Sequence, residues 1–172
     1  MIFNRLRPGR ARLRRVRLIA FDLDGVFTDG GVWFGPGGGE WKRLGYRDLD
    51  GYFALRRAGW RTAVITGEKG ELPERFLARL NPDHARQGCK AKLAALDEML
   101  LAEGITREQV AYVGDSTHDL EVLRAVGLGI APADAHPRAR AAARWVLGHR
   151  GGYDAVGELA EAFLKVAPGG QA

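Results

Sequence analysis

One cysteine, Cys89, stands among the 172 residues, so the chain cannot close a disulfide on itself. A reducing compartment is the expected setting, and a cytoplasmic location with it. No histidine pattern near Cys89 would activate it, so it reads as a packing or loop residue rather than a nucleophile. Apolar runs are short. None approaches the roughly 18 to 20 residues that cross a bilayer, and no membrane span is expected. The stretch MIFNRLRPGRARLRRVR has neither the apolar segment nor the small-residue cleavage site of a secretory signal, and it is expected to be retained. The four histidines, His84, His118, His136 and His149, lack the spacing of a zinc site. The glycines of Gly35-Pro36-Gly37-Gly38-Gly39 are not followed by a Gly-Lys-Ser/Thr that opens a helix, which excludes a Walker nucleotide site. Lys42 instead follows Glu40 and Trp41 in what reads as a strand.

Acidic residues are also missing from residues 1 to 17, which carry seven arginines. Without that stretch the net charge drops from +5 to −2, so the body of the chain is not basic. Residues 1 to 16 are read as an Arg-rich arm, solvated or in contact with another subunit, and nucleic acid is not the expected partner.

What is present suits one soluble domain: 46% hydrophobic and 27% charged residues over a length that buries a single core. Short apolar strands are predicted at 17–21, 62–65, 110–113 and 128–130, with helical periodicity over 50–58, 71–80, 90–103 and 117–126. Strand and helix alternate, which predicts an α/β fold: a doubly wound, Rossmann-like open parallel sheet. Residues 30–46 differ, with aromatic pieces on either side of the glycine-rich turn, and read as a β-hairpin insertion.

In such sheets ligands bind beyond the carboxyl ends of the strands. Asp22 and Asp24 follow the first strand, Thr66-Gly67-Glu68 the second, and Gly114-Asp115-Ser116-Thr117-His118-Asp119 the third, while Lys92 opens a helix. Like charges two residues apart raise the cost of ionising each other, so a cation is expected among them. Carboxylates of this kind suit Mg²⁺, which takes a few carboxylate oxygens, water and a substrate phosphate. A carboxylate beside it can attack phosphorus, a second can donate and then accept a proton, and Thr66 and Lys92 can hold phosphoryl oxygens.

Asp22-Leu-Asp24-Gly-Val-Phe-Thr28, Thr66-Gly67, Lys92 and Gly114-Asp115-x-x-x-Asp119 resemble the four ordered motifs of the haloacid dehalogenase superfamily, over about residues 16 to 160. The resemblance implies Asp22 as nucleophile and Asp24 as general acid and base. It implies Thr66, Gly67 and Lys92 as phosphate ligands, Asp22, Asp115 and the Asp24 backbone carbonyl as Mg²⁺ ligands, and Asp119 as their support. Gly39-Glu-Trp-Lys42, Gln87-Gly88, Ala133-Asp-Ala-His-Pro137 and Gly151-Gly152 are similar to the capless branch that holds the 3-deoxy-octulosonate 8-phosphate and nonulosonate 9-phosphate phosphatases. In the octulosonate enzymes Arg usually follows Thr-Gly. Thr66-Gly-Glu-Lys69 is instead similar to the nonulosonate enzymes, which implies Glu68, with Arg79 further along its helix, as selectors of a nine-carbon substrate. The domain would span 17–166, with 167–172 as a tail.

Chain spacing agrees with the absence of a cap: no lid fits between Asp24 and Thr66 or between Thr66 and Lys92. A small phosphorylated sugar acid still needs enclosure, and the resemblance implies a homotetramer in which a neighbour's hairpin and tail complete the site. Three positions depart from the family pattern. Ser116 stands where a second Asp is common, and Asp154 and Gly157 stand where the tail usually has Gly and Arg. Two rival classes share the acidic pocket: a phosphoacceptor receiver domain, and a binding subunit with a decayed site.

Overall fold

The computed structural model describes residues 7–166 and Pro168. The expected tail, apart from Pro168, and the first six residues of the arm lie outside them. Among the described residues no helix is long and apolar enough to cross a membrane.

Six parallel strands make one sheet: β1 (Leu18–Phe21), β4 (Arg61–Ile65), β5 (His84–Arg86), β6 (Val110–Val113), β7 (Leu128–Ala131) and β8 (Trp145–Val146). Their order is β5-β4-β1-β6-β7-β8. The register pairs Phe21 with Val64 on one side and with Val113 on the other. The chain adds strands first on the β4 side of β1 and then on the β6 side, so the reversal of strand order falls beside β1. The four expected strands are present, and β5 and β8 extend the sheet at its edges. Both extra strands are too short to carry a periodicity of their own.

Every residue of β1 is buried because both faces of the sheet are covered. Ile19 and Phe21 point into one core with Tyr52, Leu55, Val156, Leu159 and Phe163. Leu18 and Ala20 point into the other, with Leu96, Met99, Leu123 and Ala139. Side chains alternate at period two along a strand, so one short segment seeds two cores. The first core is covered by α2 (Tyr46–Arg57), α3 (Glu71–Leu80) and α7 (Ala155–Phe163). The second is covered by α4 (Lys92–Glu103), α5 (Leu120–Ala125) and α6 (Pro137–Ala142). Phe21 meets Phe27 at 5.3 Å and Tyr52 edge-on at 5.8 Å, and truncating such a ring costs about 3 to 5 kcal/mol. Helices α2 and α7 touch through glycines: a Cβ on Gly51 would lie 2.7 Å from the Gly157 Cα.

The described part of the arm is docked against the sheet. Its short helix α1 (Arg10–Leu13) and the turn after it bury Leu13 and Val16 in the first core. Arg12 Nη1 donates to the Gly127 carbonyl at 3.1 Å.

The hairpin pairs β2 (Trp33–Phe34) with β3 (Glu40–Trp41), antiparallel, and closes through Gly37 and Gly38 at φ of 84° and 83°. Its aromatic side chains face outward: Trp33 is 68% exposed, Phe34 76% and Trp41 56%. Lys42 falls just after β3, not within it. Among the described residues no cap domain is inserted between the elements of the sheet.

Candidate active site

Asp22 is the first residue past β1, its amide donating to the Val113 carbonyl at 2.8 Å as the ladder ends. The chain then turns sharply. The amides of Val26, Phe27 and Thr28 all donate to the Leu23 carbonyl, and Gly25 takes φ of 69°. Glycine is required there twice over, since a Cβ would be strained and would also sit 2.1 Å from Asp115 Oδ2. Thr28 Oγ1 donates to Asp24 Oδ1 at 3.1 Å, and the amides of Gly25 and Gly30 donate to that hydroxyl. Gly151 and Gly152 pack beneath this turn. A Cβ on Gly151 would come within 1.9 Å of the Gly25 carbonyl, and the Gly152 amide donates to the Val26 carbonyl at 3.0 Å.

Lys92, at the start of α4, reaches across to the β1 and β6 ends. Its Nζ donates to Asp22 Oδ2 at 2.6 Å and to Asp119 Oδ1 at 2.8 Å, with the ammonium almost fully buried. Burial alone would lower the Lys92 pKa, but the two carboxylates outweigh it and raise it. One ammonium cannot balance two anions. Asp119 also accepts from the Tyr112 hydroxyl at 2.7 Å and from the amide and hydroxyl of Ser116 at 2.9 and 2.8 Å. Burial pushes Asp119 up, yet these donors and Lys92 hold it below the ordinary carboxylate range. Asp22 has fewer donors, and burial lifts it to about 7 despite Lys92. Asp115 is likewise lifted to about 7, by burial and then by the Asp119 charge. The Ser116 departure thus has a structural use: the serine binds Asp119 and caps the turn that follows, accepting from the His118 amide.

Carboxylate oxygens of Asp22, Asp115 and Asp119 lie within 4.8 Å of one another. Each oxygen of Asp119 already accepts two hydrogen bonds, whereas each oxygen of Asp22 accepts one, from the Leu23 amide at 2.7 Å and from Lys92, so Asp22 and Asp115 are the side chains that keep lone pairs for a cation. Three carboxylates, two buried and one half-buried, face a single ammonium, and a hard divalent cation fits such a site because it would supply the missing positive charge.

Thr66 is buried at the end of β4, and its hydroxyl accepts from the Glu68 amide at 3.2 Å. Asp22, Asp24, Thr66, Gly67, Glu68, Lys92 and Asp115 all line one cavity of about 350 Å³. Eight of the nine expected site residues therefore converge, since Asp119 sits directly behind Lys92. Arg79 does not. It is exposed near the end of α3, its guanidinium 5.9 Å from the Tyr46 ring, and is not among the residues lining the cavity. In this chain Arg79 lies outside the cavity, and its part in selecting the substrate stays an expectation.

Two residues escaped the sequence reading. Lys42 follows β3, its side chain 2% exposed, and its Nζ donates to Asp24 Oδ2 at 2.8 Å and to Glu68 Oε2 at 2.5 Å. Burial would lower the Lys42 pKa, but these two partners raise it. The Gly39-Glu-Trp-Lys42 pattern was the available signal, but a lysine after a strand announces no partner. The second is Asp48, fully buried in α2, whose carboxylate accepts from the amides of Asp154 at 3.0 Å and Val156 at 2.8 Å. It anchors the start of α7 and hence the diglycine under the catalytic turn.

Comparison with known proteins agrees with this geometry. Residues 87–159 match the haloacid dehalogenase-like hydrolase family. The chain is 38% identical over 154 residues to the 3-deoxy-D-manno-octulosonate 8-phosphate phosphatase of Escherichia coli K12, covering 90% of this chain and 82% of that one. The chain belongs to this family of haloacid dehalogenase-like phosphatases. Among solved structures, the Yersinia pestis 3-deoxy-D-manno-octulosonate 8-phosphate phosphatase superposes with a TM-score of 0.85 at 37% identity, over 90% of this chain and 84% of that one. The Moraxella catarrhalis enzyme, solved with a magnesium ion, a phosphate ion and a KDO molecule, superposes with a TM-score of 0.86 at 32% identity, over 92% and 91%.

Proposed function

We propose that the protein is a Mg²⁺-dependent phosphatase that removes the terminal phosphate monoester of a 3-deoxy-2-keto sugar acid. The observation that carries this reading is the Lys92 ammonium, 2.6 Å from Asp22 and 2.8 Å from Asp119, in one cavity with Thr66 and Asp115. Bound by Asp22, Asp115 and the Asp24 backbone carbonyl, Mg²⁺ would supply the positive charge that lets an anionic nucleophile approach an anionic phosphate.

The residues then divide the chemistry. Asp22 attacks phosphorus, forming an Asp–O–P bond as the bond from phosphorus to the sugar oxygen breaks. Asp24 gives its proton to that leaving oxygen. In the second half a water attacks the aspartyl phosphate, Asp24 takes the water's proton, and Asp22 is released with inorganic phosphate. Thr66, the Gly67 amide and Lys92 hold the phosphoryl oxygens as charge redistributes.

The eight-carbon octulosonate 8-phosphate is the preferred substrate, because it is the compound named for the E. coli and Y. pestis relatives. A second reading, the nine-carbon nonulosonate 9-phosphate, rests on Glu68 at the cavity wall in place of the usual Arg. The hairpin aromatics Trp33, Phe34 and Trp41 are exposed, which supports a homotetramer in which a neighbour's hairpin closes the site. The domain is taken to span 17–166. The deciding experiment is kcat/KM with Mg²⁺ on both sugar acid phosphates, alongside Asp22→Asn. Multiple turnover lost in that variant is expected. A single stoichiometric phosphorylation would favour a receiver domain, and a variant as active as the parent would remove Asp22 from the mechanism.

A further inference from the structure

Two of the arm's exposed arginines border a concavity. Arg12, in α1, and Arg15, in the turn after it, meet Arg124 near the end of α5 and Arg144 just before β8 around a cavity of about 500 Å³. These segments all precede strands, so the cavity opens at the amino-terminal edge of the sheet, opposite the phosphatase site. Its floor is apolar, made by Val16, Val126 and Leu128. Glu108 is the one acid among the lining residues. Arg15, Arg124 and Arg144 form no ion pair with any described residue, whereas nearby Arg107 is already bound bidentately by Asp97 at 2.7 and 2.5 Å.

Four like charges gathered on three chain segments repel one another, and a concave wall that excludes part of the solvent strengthens that repulsion. A compact anion relieves it. Guanidinium forks match phosphate oxygens two at a time, and four forks against one carboxylate call for a ligand of about three negative charges. A carboxylic acid or a single phosphate carries too little charge, and a long nucleic acid would track a surface stripe rather than enter a pocket. We propose that this cavity is a second anion site, which takes an oligophosphate: an inorganic polyphosphate or the triphosphate of a nucleotide. It is independent of the phosphatase reading.

The test is calorimetric titration of the full chain with inorganic tripolyphosphate, without added metal. One ligand per chain is expected, weakening at least about tenfold between about 50 and about 300 mM salt. The triple variant Arg15→Gln, Arg124→Gln, Arg144→Gln should bind at least about tenfold more weakly and turn over p-nitrophenyl phosphate like the parent. Thr66→Ala should bind tripolyphosphate like the parent, since that residue belongs to the other site. If the triple variant melts early, Arg144→Gln alone replaces it, with a loss of at least about threefold expected. Adenosine triphosphate binding tighter than tripolyphosphate would place a base on the apolar floor, and equal binding would assign recognition to phosphates alone. Unchanged affinity in the arginine variants, loss of binding in Thr66→Ala, or tighter binding of a short single-stranded DNA would each overturn the proposal.

Discussion

Lys42 Nζ donates to Asp24 Oδ2 at 2.8 Å, and Thr28 Oγ1 donates to the other oxygen of the same carboxylate at 3.1 Å. Asp24 is thereby fixed from both sides, one of them supplied by the hairpin. Lys42→Met frees the carboxylate to rotate out of line with the leaving oxygen. The expected result is a fall in kcat of about 10 to 100-fold with little change in KM. The loss should be greater for an alkyl phosphate than for p-nitrophenyl phosphate, because nitrophenolate leaves without a proton. An equal loss on both would mean that Lys42 only supports the fold.

Asp22 and Asp115 are raised to about 7 by burial, so the metal-free protein holds protons there that the unfolded chain releases near its ordinary carboxylate value of 3.8. Between those values the folded state binds more protons, and stability therefore falls as pH rises. Mg²⁺ displaces the protons and reverses the effect. Thermal melts in chelator should show a lower Tm at pH 8 than at pH 5, and the rise on adding Mg²⁺ should be larger at pH 8. An equal rise at both pH values would contradict the assignment of these two carboxylates to the cation site.

Gly25→Ala places a methyl group 2.1 Å from Asp115 Oδ2 at a φ of 69°. The left-handed backbone alone costs about 1 kcal/mol or more, and the clash pushes Asp115 away from Asp22. Activity should fall at least about 100-fold, with a measurable drop in Tm. Gly37→Ala, with nothing within 4 Å of the added carbon, should leave activity within about twofold even though its φ is also positive.

Asp154 and Gly157 are coupled. A Cβ at position 157 would lie 1.9 Å from Asp154 Oδ1, so the family's usual Arg at 157 is incompatible with Asp at 154 as it stands here. Asp154 itself sits at φ of 82°, the left-handed region where the family's Gly is at ease. Gly157→Arg alone should destabilise the fold by about 2 kcal/mol, and adding Asp154→Gly should recover at least about half of that. Denaturant midpoints of the two single variants and the double variant check this. Additive changes would show that the two positions are independent.

Much of the site was legible in the linear order of residues because the chemistry sits at strand ends. Four short apolar segments alternating with helical periodicity force a parallel sheet, and a parallel sheet delivers whatever follows β1, β4 and β6 to one edge. Asp22, Asp24, Thr66 and Asp115 needed no more than that. What no local pattern announces is a partner distant in the chain. Lys42 finds Asp24 and Glu68 only once the hairpin folds back, and Asp48 finds the amides of Asp154 and Val156 across more than a hundred residues. Arg79 is exposed because the packing of Phe76 and Leu80 into the sheet decides which way α3 turns its face. The arginine cavity too was decided by tertiary structure. Residues 7 to 16 bury two apolar side chains, Leu13 and Val16, which pin the arm to the sheet, and that docking brings Arg12 and Arg15 to Arg124 and Arg144. Local propensity and periodicity set the elements and their order, whereas long-range contacts depend on loop closure and packing that only the assembled fold resolves.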